Sequence, residues 1–151
     1  MKEVVLYKGD IALVDDDKLE QVLQYSWWLD GDGYALTVIE GRRILMHHIV
    51  YGEKVMLDHK NGNRLDNTLA NLRPCNKSTN AMNQKKWSKP TSSKYKGVSL
   101  FKRTGKYMAY IKKNGKRIHL GYFENEDDAA LAYNKKATEI FGEFAKLNNI
   151  E

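Results

Sequence analysis

The chain opens with two short apolar runs, Val4–Tyr7 and Ile11–Val14, and Gly9-Asp10 between them predicts a hairpin. Asp15 to Asp17 can cap a helix in which Leu19, Val22 and Leu23 recur at helical spacing. Trp27 and Trp28 follow and read as core anchors. Tyr34–Ile39 and Arg43–Met46 flank Glu40-Gly41, which predicts a second hairpin. Val55-Met56-Leu57 is a short apolar strand that runs into Asp58-His59. The loop Lys60–Asn67 is dense in turn formers, Leu72-Arg73 returns as a strand, and Asn76 can cap a helix through Asn83. The order over this stretch is strand, polar loop, strand, helix.

Periodicity changes after residue 94. Gly97–Phe101, Tyr107–Lys112 and Arg117–Tyr122 predict three strands, with turns at Thr104-Gly105 and Asn114-Gly115. Alternation turns Tyr107, Ala109, Ile111, Ile118 and Leu120 inward, and Met108, Tyr110, Lys112, Arg117 and His119 outward. Asn125 caps a helix with Ala129, Ala130, Tyr133, Ala137, Ile140 and Phe141 on one face, and Gly142 stops it. Between the two halves, Lys85–Lys94 is basic and rich in Ser, Thr and Pro, with little to bury. The expected organisation is a domain over 1–87, a linker over 88–93 and a second domain over 94–151. The expected fold class is α+β, ending in a three-stranded antiparallel sheet packed on one helix.

Composition narrows the function. The 151 residues are 42% hydrophobic and 29% charged, which excludes general disorder. No apolar run approaches a membrane span, and the N-terminus meets acids too soon for a signal peptide, so a cytoplasmic protein is expected. One cysteine, Cys75, excludes an internal disulfide framework and a Cys-rich zinc site, and reads as a small buried hydrophobe. Net charge is +6 and uneven. Residues 1–46 carry 5 Lys/Arg against 9 Asp/Glu, whereas Lys94–His119 carries nine basic residues and no acid. A polyanion is the expected partner of that stretch, and by charge alone a membrane face would also suit it.

Asp58, His59, Asn71 and Asn80 form the first constellation. Asn71 lies 12 residues after His59, and Asn80 lies nine after Asn71. Any one of them alone would suit a satisfied turn or a polar helix position. Together, in LDHKNGNRLDNTLANLRPCNKSTNAMNQ from Leu57 to Gln84, they resemble the HNH motif of small phage and intron-type homing endonucleases. The upstream LMHHIVYG, Leu45 to Gly52, resembles the segment that precedes that motif. The resemblance implies a ββα-metal nuclease domain with an N-terminal β-rich extension.

It also implies roles. His59 becomes the general base, since a neutral imidazole accepts a proton at cellular pH. Asp58 and Asn80 become oxygen ligands for Mg²⁺ or Mn²⁺, with the remaining positions left to water and phosphate. Asn71 pins the loop, and Arg73 and Lys77 neutralise phosphate charge. In an ideal strand Asp58 and His59 point to opposite faces, so a bend is expected after Asp58. By the same argument only one of His47 and His48 faces the site, and His47 matches the family's histidine, as a structural residue or a DNA contact. Gln84 departs from the many HNH enzymes that carry a metal-ligating His at that position.

The second constellation is SKYKGVSLFKRTGKYMAYIKKNGKRIHLGYFENEDDAALAY and the residues that follow it, Ser93 to Asn148. It resembles the APETALA/ethylene-response-factor domain, whose sheet lies in the DNA major groove. The resemblance and the outward basic face together give Lys96, Ser99, Lys102, Arg103, Tyr110, Lys112, Arg117 and His119 as DNA-binding candidates. Plant members favour Arg, an acid and Trp where this chain has Ser99, Tyr110 and His119, so their target sequence does not transfer.

The expectation is a metal-dependent endonuclease acting on double-stranded DNA, a homing enzyme of a phage or mobile element in a bacterial cytoplasm. It needs no membrane and no obligatory protein partner, and a monomer would suffice. A non-catalytic DNA-binding regulator is the alternative, and an RNA-binding module lacks the usual paired stacking aromatics.

Overall fold

The computed structural model describes residues 1–84 and 92–151. The linker expected at 88–93 therefore lies mostly outside the described residues. The chain divides into two compact units, Met1–Asn76 and Lys77–Glu151. The model is mixed α and β, with several small antiparallel sheets. No helix among the described residues is long and apolar enough to cross a membrane.

In the first unit, β1 (Lys2–Val5) and β2 (Ile11–Val14) pair antiparallel. Their alternation puts Val4, Ala12 and Val14 into the core, joined by Leu6 from the turn. A 3-10 turn (Asp16–Lys18) leads into α1 (Leu19–Leu23), which buries Val22. Of the two tryptophans only Trp27 is an anchor. Its ring is buried, and Nε1 donates to the Val22 carbonyl at 2.8 Å. Trp28 starts β3 (Trp28–Leu29), stands 41% exposed and lies against Tyr7, which corrects the expectation of a second anchor. Alternation along the chain explains it, since neighbours in an extended segment face opposite ways.

β3, β4 (Ala35–Ile39) and β5 (Arg42–Leu45) make a three-stranded sheet. The β4–β5 turn is tight because Glu40 and Gly41 both take positive φ, 50° and 75°. The histidine pair differs from expectation: His47 and His48 sit on α2 (Met46–Tyr51), not on a strand. Met46 and Val50, four residues apart, are both fully buried, and Gly52 at φ 82° ends the helix with its N–H on the His48 carbonyl. A six-residue helix is too short for its period to stand out against a hairpin pattern.

β6 (Leu57–His59) and β7 (Leu72–Pro74) form a two-stranded ladder that pairs Asp58 with Arg73 and His59 with Leu72. The bend expected after Asp58 comes one residue later. The ladder runs through His59, and the Gly62 N–H then closes a turn onto the His59 carbonyl at 2.8 Å, with Gly62 at φ 75°. The loop from 60 to 71 rests on the N-terminal hairpin. Leu13 donates to the Leu65 carbonyl at 2.7 Å and accepts from the Asn67 N–H at 2.8 Å.

The second unit begins with α3 (Lys77–Asn83) and contains the sheet β8 (Val98–Phe101), β9 (Lys106–Lys113) and β10 (Lys116–Phe123) in the order β10-β9-β8. α4 (Glu126–Phe141) packs behind it. Asn125 caps α4 by accepting the Asp128 N–H at 2.8 Å, as its sequence suggests. The alanines at 129, 130 and 137 let the helix approach Val98, Ala109 and Ile111 closely. Ile118 corrects the pattern: it pairs with Ile111 yet remains 36% exposed on the edge strand, close to the Asn114-Gly115 turn. A bulge between His119 and Gly121 shifts the register, so Tyr122 joins the outward face beside Met108 and Phe123 turns inward beside Tyr107.

Gly97 enters β8 at φ 74°, and a Cβ there would lie 2.1 Å from the Tyr133 ring and 2.6 Å from the Tyr110 carbonyl. Gly97→Ala is expected to destabilise the protein by roughly 2–4 kcal/mol, from the φ penalty and overpacking together. Urea denaturation checks it, and a midpoint within error of wild type would contradict the packing described.

Candidate active site and nucleic-acid interface

The loop between β6 and β7 is tied together by its own side chains, which replace the missing ladder. Asn71 Oδ1 accepts the Asn61 N–H at 3.0 Å, and its Nδ2 donates to the Asp66 carbonyl at 2.8 Å. The Lys60 N–H meets the Asn71 carbonyl at 2.9 Å. The Asp66 carboxylate accepts from Asn61 Nδ2 and Thr68 Oγ1, each at 2.8 Å. Asn71 thus closes the loop on itself.

His59 lies at the start of that loop, only 4% exposed. Its Nε2 is 3.2 Å from Asn67 Oδ1. Its ring packs edge-on against His47 at 5.3 Å, with Tyr34 at 5.8 Å. Burial pulls its pKa below the ordinary histidine value, and the Asn67 bond opposes that in part. The imidazole is therefore neutral and able to accept a proton at neutral pH. His47 is buried at 5% exposure, and its pKa falls to about 3, first by desolvation and then by the neighbouring His48 and His59. Expected as a structural residue or a DNA contact, it forms part of the wall behind His59. Tyr34 carries the Arg64 guanidinium 4.8 Å above its ring, and burial raises its phenol pKa.

Asp58, the preceding residue of β6, is engaged by an arginine. Arg73 Nε and Nη2 both donate to its Oδ2, at 3.0 and 2.8 Å, and both residues are buried. In this structure Arg73 is thus the counter-ion of Asp58. Cys75, half-buried rather than fully buried, lies near enough that Asp58 helps raise its thiol pKa, after desolvation. Asn80 and Lys77 ride on α3 in the second unit, Asn80 partly buried and Lys77 exposed.

Among the described residues there is no group of three or more His, Cys, Asp or Glu side chains placed to hold a metal ion. The Asp58 carboxylate is a hard oxygen donor, and so is the side-chain amide oxygen of Asn80.

The outward face of the second unit's sheet alternates cations with aromatic rings. Arg117 registers with Lys112, and its guanidinium lies 4.1 Å over the Tyr110 ring. His119 and Tyr122 rings are 4.7 Å apart, Tyr122 and Phe101 are 5.3 Å apart, and Arg103 sits 5.6 Å over Phe101. Ser99 registers with Met108 on the same face, and Lys102 is exposed in the following turn. Such a face can contact phosphates and base edges together. Lys96 differs from the others. It is half-buried, its ammonium donates to the carbonyls of Met82 and Gln84 at 2.7 and 2.8 Å, and burial lowers its pKa to about 8.

Sequence reasoning misses Phe101 and Tyr122 as face residues. Simple alternation from His119 turns Tyr122 inward, and Gly121 inside a strand is the signal that a bulge reverses the count. It also misses Asn67, which in a loop of turn formers carries no distinguishing mark.

His47 gives a pH test of the buried cluster. Its folded pKa is depressed, so below about 6.5 the unfolded chain binds a proton that the folded chain does not. Its contribution to stability is complete above that value and falls as pH drops toward 3, with a slope of up to about 1.4 kcal/mol per pH unit. Denaturation between pH 7 and 4 should show wild type losing stability more steeply than His47→Phe by about that slope. Parallel curves would mean that His47 is solvated.

No protein-family model matches the chain. It is 34% identical over 152 residues to an uncharacterized HNH endonuclease, L560, of Acanthamoeba polyphaga mimivirus, across 95% of this chain and 78% of that protein. A stretch of 57 residues, 38% of the chain, is 39% identical to the AP2-like ethylene-responsive transcription factor TOE2 of Arabidopsis thaliana. APETALA2-like protein 2 of Oryza sativa subsp. indica matches equally well over the same length. These stretches cover 12% and 13% of the two plant proteins, so that likeness concerns one module only. The first likeness runs nearly end to end, and by it the chain belongs to the HNH endonuclease family.

Proposed function

We propose that the protein is a metal-dependent DNA endonuclease, a site-selective homing enzyme of a phage or mobile element acting in its host's cytoplasm. In this reading residues 1–87 form a ββα-metal nuclease domain, 88–93 a linker and 94–151 the DNA-reading domain. The observation that carries it is His59, buried at the head of a loop that Asn71 ties together, in a chain of this family.

Asp58 and Asn80 would hold the divalent ion. Bound there, the ion would stabilise negative charge on the phosphate and the leaving oxygen. His59 takes the proton of the attacking water, and its burial keeps competing solvent away from the ring. Asn71 keeps the ring's backbone from moving. Arg73 balances Asp58 within the fold, and with Lys77 supplies positive charge for the phosphate. The outward sheet face positions the duplex through Lys112, Arg117 and Arg103, with Tyr110 and His119 among them. Two binding units on one chain allow a monomer to work.

Three outcomes test this. His59→Ala should lower the single-turnover cleavage rate of duplex DNA by about 10²–10⁴-fold with affinity nearly unchanged. A non-catalytic regulator would bind and show no cleavage in wild type either. Asp58→Ala and Asn80→Ala should both raise the Mg²⁺ concentration needed for half-maximal cleavage, Asp58→Ala more because it removes a charge, and titration of the metal measures this. Arg117→Ala should weaken duplex binding and flatten the slope of log affinity against log salt by about 1. An unchanged slope in fluorescence anisotropy titrations would remove Arg117 from the interface.

A further inference from the structure

We propose that Asn67 is a positioning residue that sets the tautomer of His59, making Nδ1 the ring nitrogen that receives the proton. The inference rests on the nuclease reading for its consequence, while its geometric basis is independent of that reading.

Asn67 is held through its backbone N–H and both polar atoms of its side chain. Its side chain is 1% exposed. Its backbone N–H donates to the Leu13 carbonyl at 2.8 Å, which fixes the residue to the core hairpin. The amide nitrogen Nδ2 faces two groups that only accept, Met46 Sδ at 3.4 Å and the Leu65 carbonyl at 3.3 Å. Turning the amide over would set its oxygen against a carbonyl and a thioether, with no donor between them. Oδ1 is thereby directed at His59 Nε2, 3.2 Å away.

An amide oxygen can only accept, so Nε2 must carry the hydrogen. A neutral imidazole has a single N–H, and Nδ1 is then the basic nitrogen. The opposite tautomer would bring two acceptors together in a buried site. Asn67 therefore does for His59 what a carboxylate does for the histidine of a hydrolytic triad, without adding a charge. During cleavage the water O–H bond breaks toward Nδ1 and its electron pair forms the new bond to phosphorus. The leaving oxygen departs with the pair of the broken P–O bond. The imidazolium that results still donates Nε2–H to Asn67, so the contact survives the step.

The test is long-range ¹H–¹⁵N correlation of the histidine side chains in the full-length protein without metal, at a pH where His59 is neutral. Wild type should show His59 protonated at Nε2 and bare at Nδ1. Finding the hydrogen on Nδ1 would overturn the proposal, and needs no variant to fold. In Asn67→Leu, with folding checked by circular dichroism, His59 should become a mixture of tautomers. Its kcat should fall about 10- to 100-fold, with KM for duplex DNA within about twofold of wild type. A folded Asn67→Leu with the wild-type tautomer and wild-type kcat would also overturn it. A wild-type protein with the expected tautomer that fails to cut DNA with Mg²⁺ would instead count against the nuclease reading and leave the role of Asn67 in setting the ring intact.

Discussion

The side-chain amide of Asn71 bridges the Asn61 N–H and the Asp66 carbonyl, and the candidate site depends on that bridge. A loop of this length between two three-residue strands has no ladder of its own, and its backbone groups need partners. Asn71, Asp66, Asn61 and Thr68 supply them from within the loop, and β2 supplies the rest through Leu13. His59, at the loop's first turn, inherits its position from this arrangement. The N-terminal hairpin is thus a buttress as well as a core element. Its inward residues hold the core, and its edge holds the loop.

Electrostatics divides the ladder into two environments. Asp58 and Arg73 face each other as a buried ion pair, in which the two charges offset each other's desolvation. One residue along, His59 enters a pocket of neutral rings, His47 and Tyr34, whose desolvation favours the uncharged imidazole. A carboxylate and an imidazole in adjacent positions need different partners, and strand alternation provides them at no cost in chain length.

Much of this is legible in the amino-acid order. The strand–loop–strand–helix succession, the Glu40-Gly41 turn, the Asn125 cap and the sheet backed by an alanine-faced helix all follow from period and turn chemistry. Asn71 was readable as a loop-closing residue because its distance from His59 matches a family spacing. Three features were not readable, for physical reasons. Six residues of α2 give a helical period too little room, so His47 and His48 resemble strand neighbours. One inserted residue at the β10 bulge reverses inward and outward for everything after it, which moves Tyr122 to the outer face. Lys96 resembles its basic neighbours in sequence, and only the nearby end of α3 shows that its ammonium caps carbonyl groups.

The central claim is that the His59 imidazole, in this preformed pocket, accepts the proton of the attacking water. Chemical rescue addresses it most directly. His59→Gly leaves a cavity the size of the missing ring, lined by Asn67, His47 and Tyr34. Duplex cleavage by this variant with Mg²⁺ should be nearly absent, and should return in proportion to added imidazole as the free base. Cleavage by His59→Gly at the wild-type rate, indifferent to imidazole, would contradict the account.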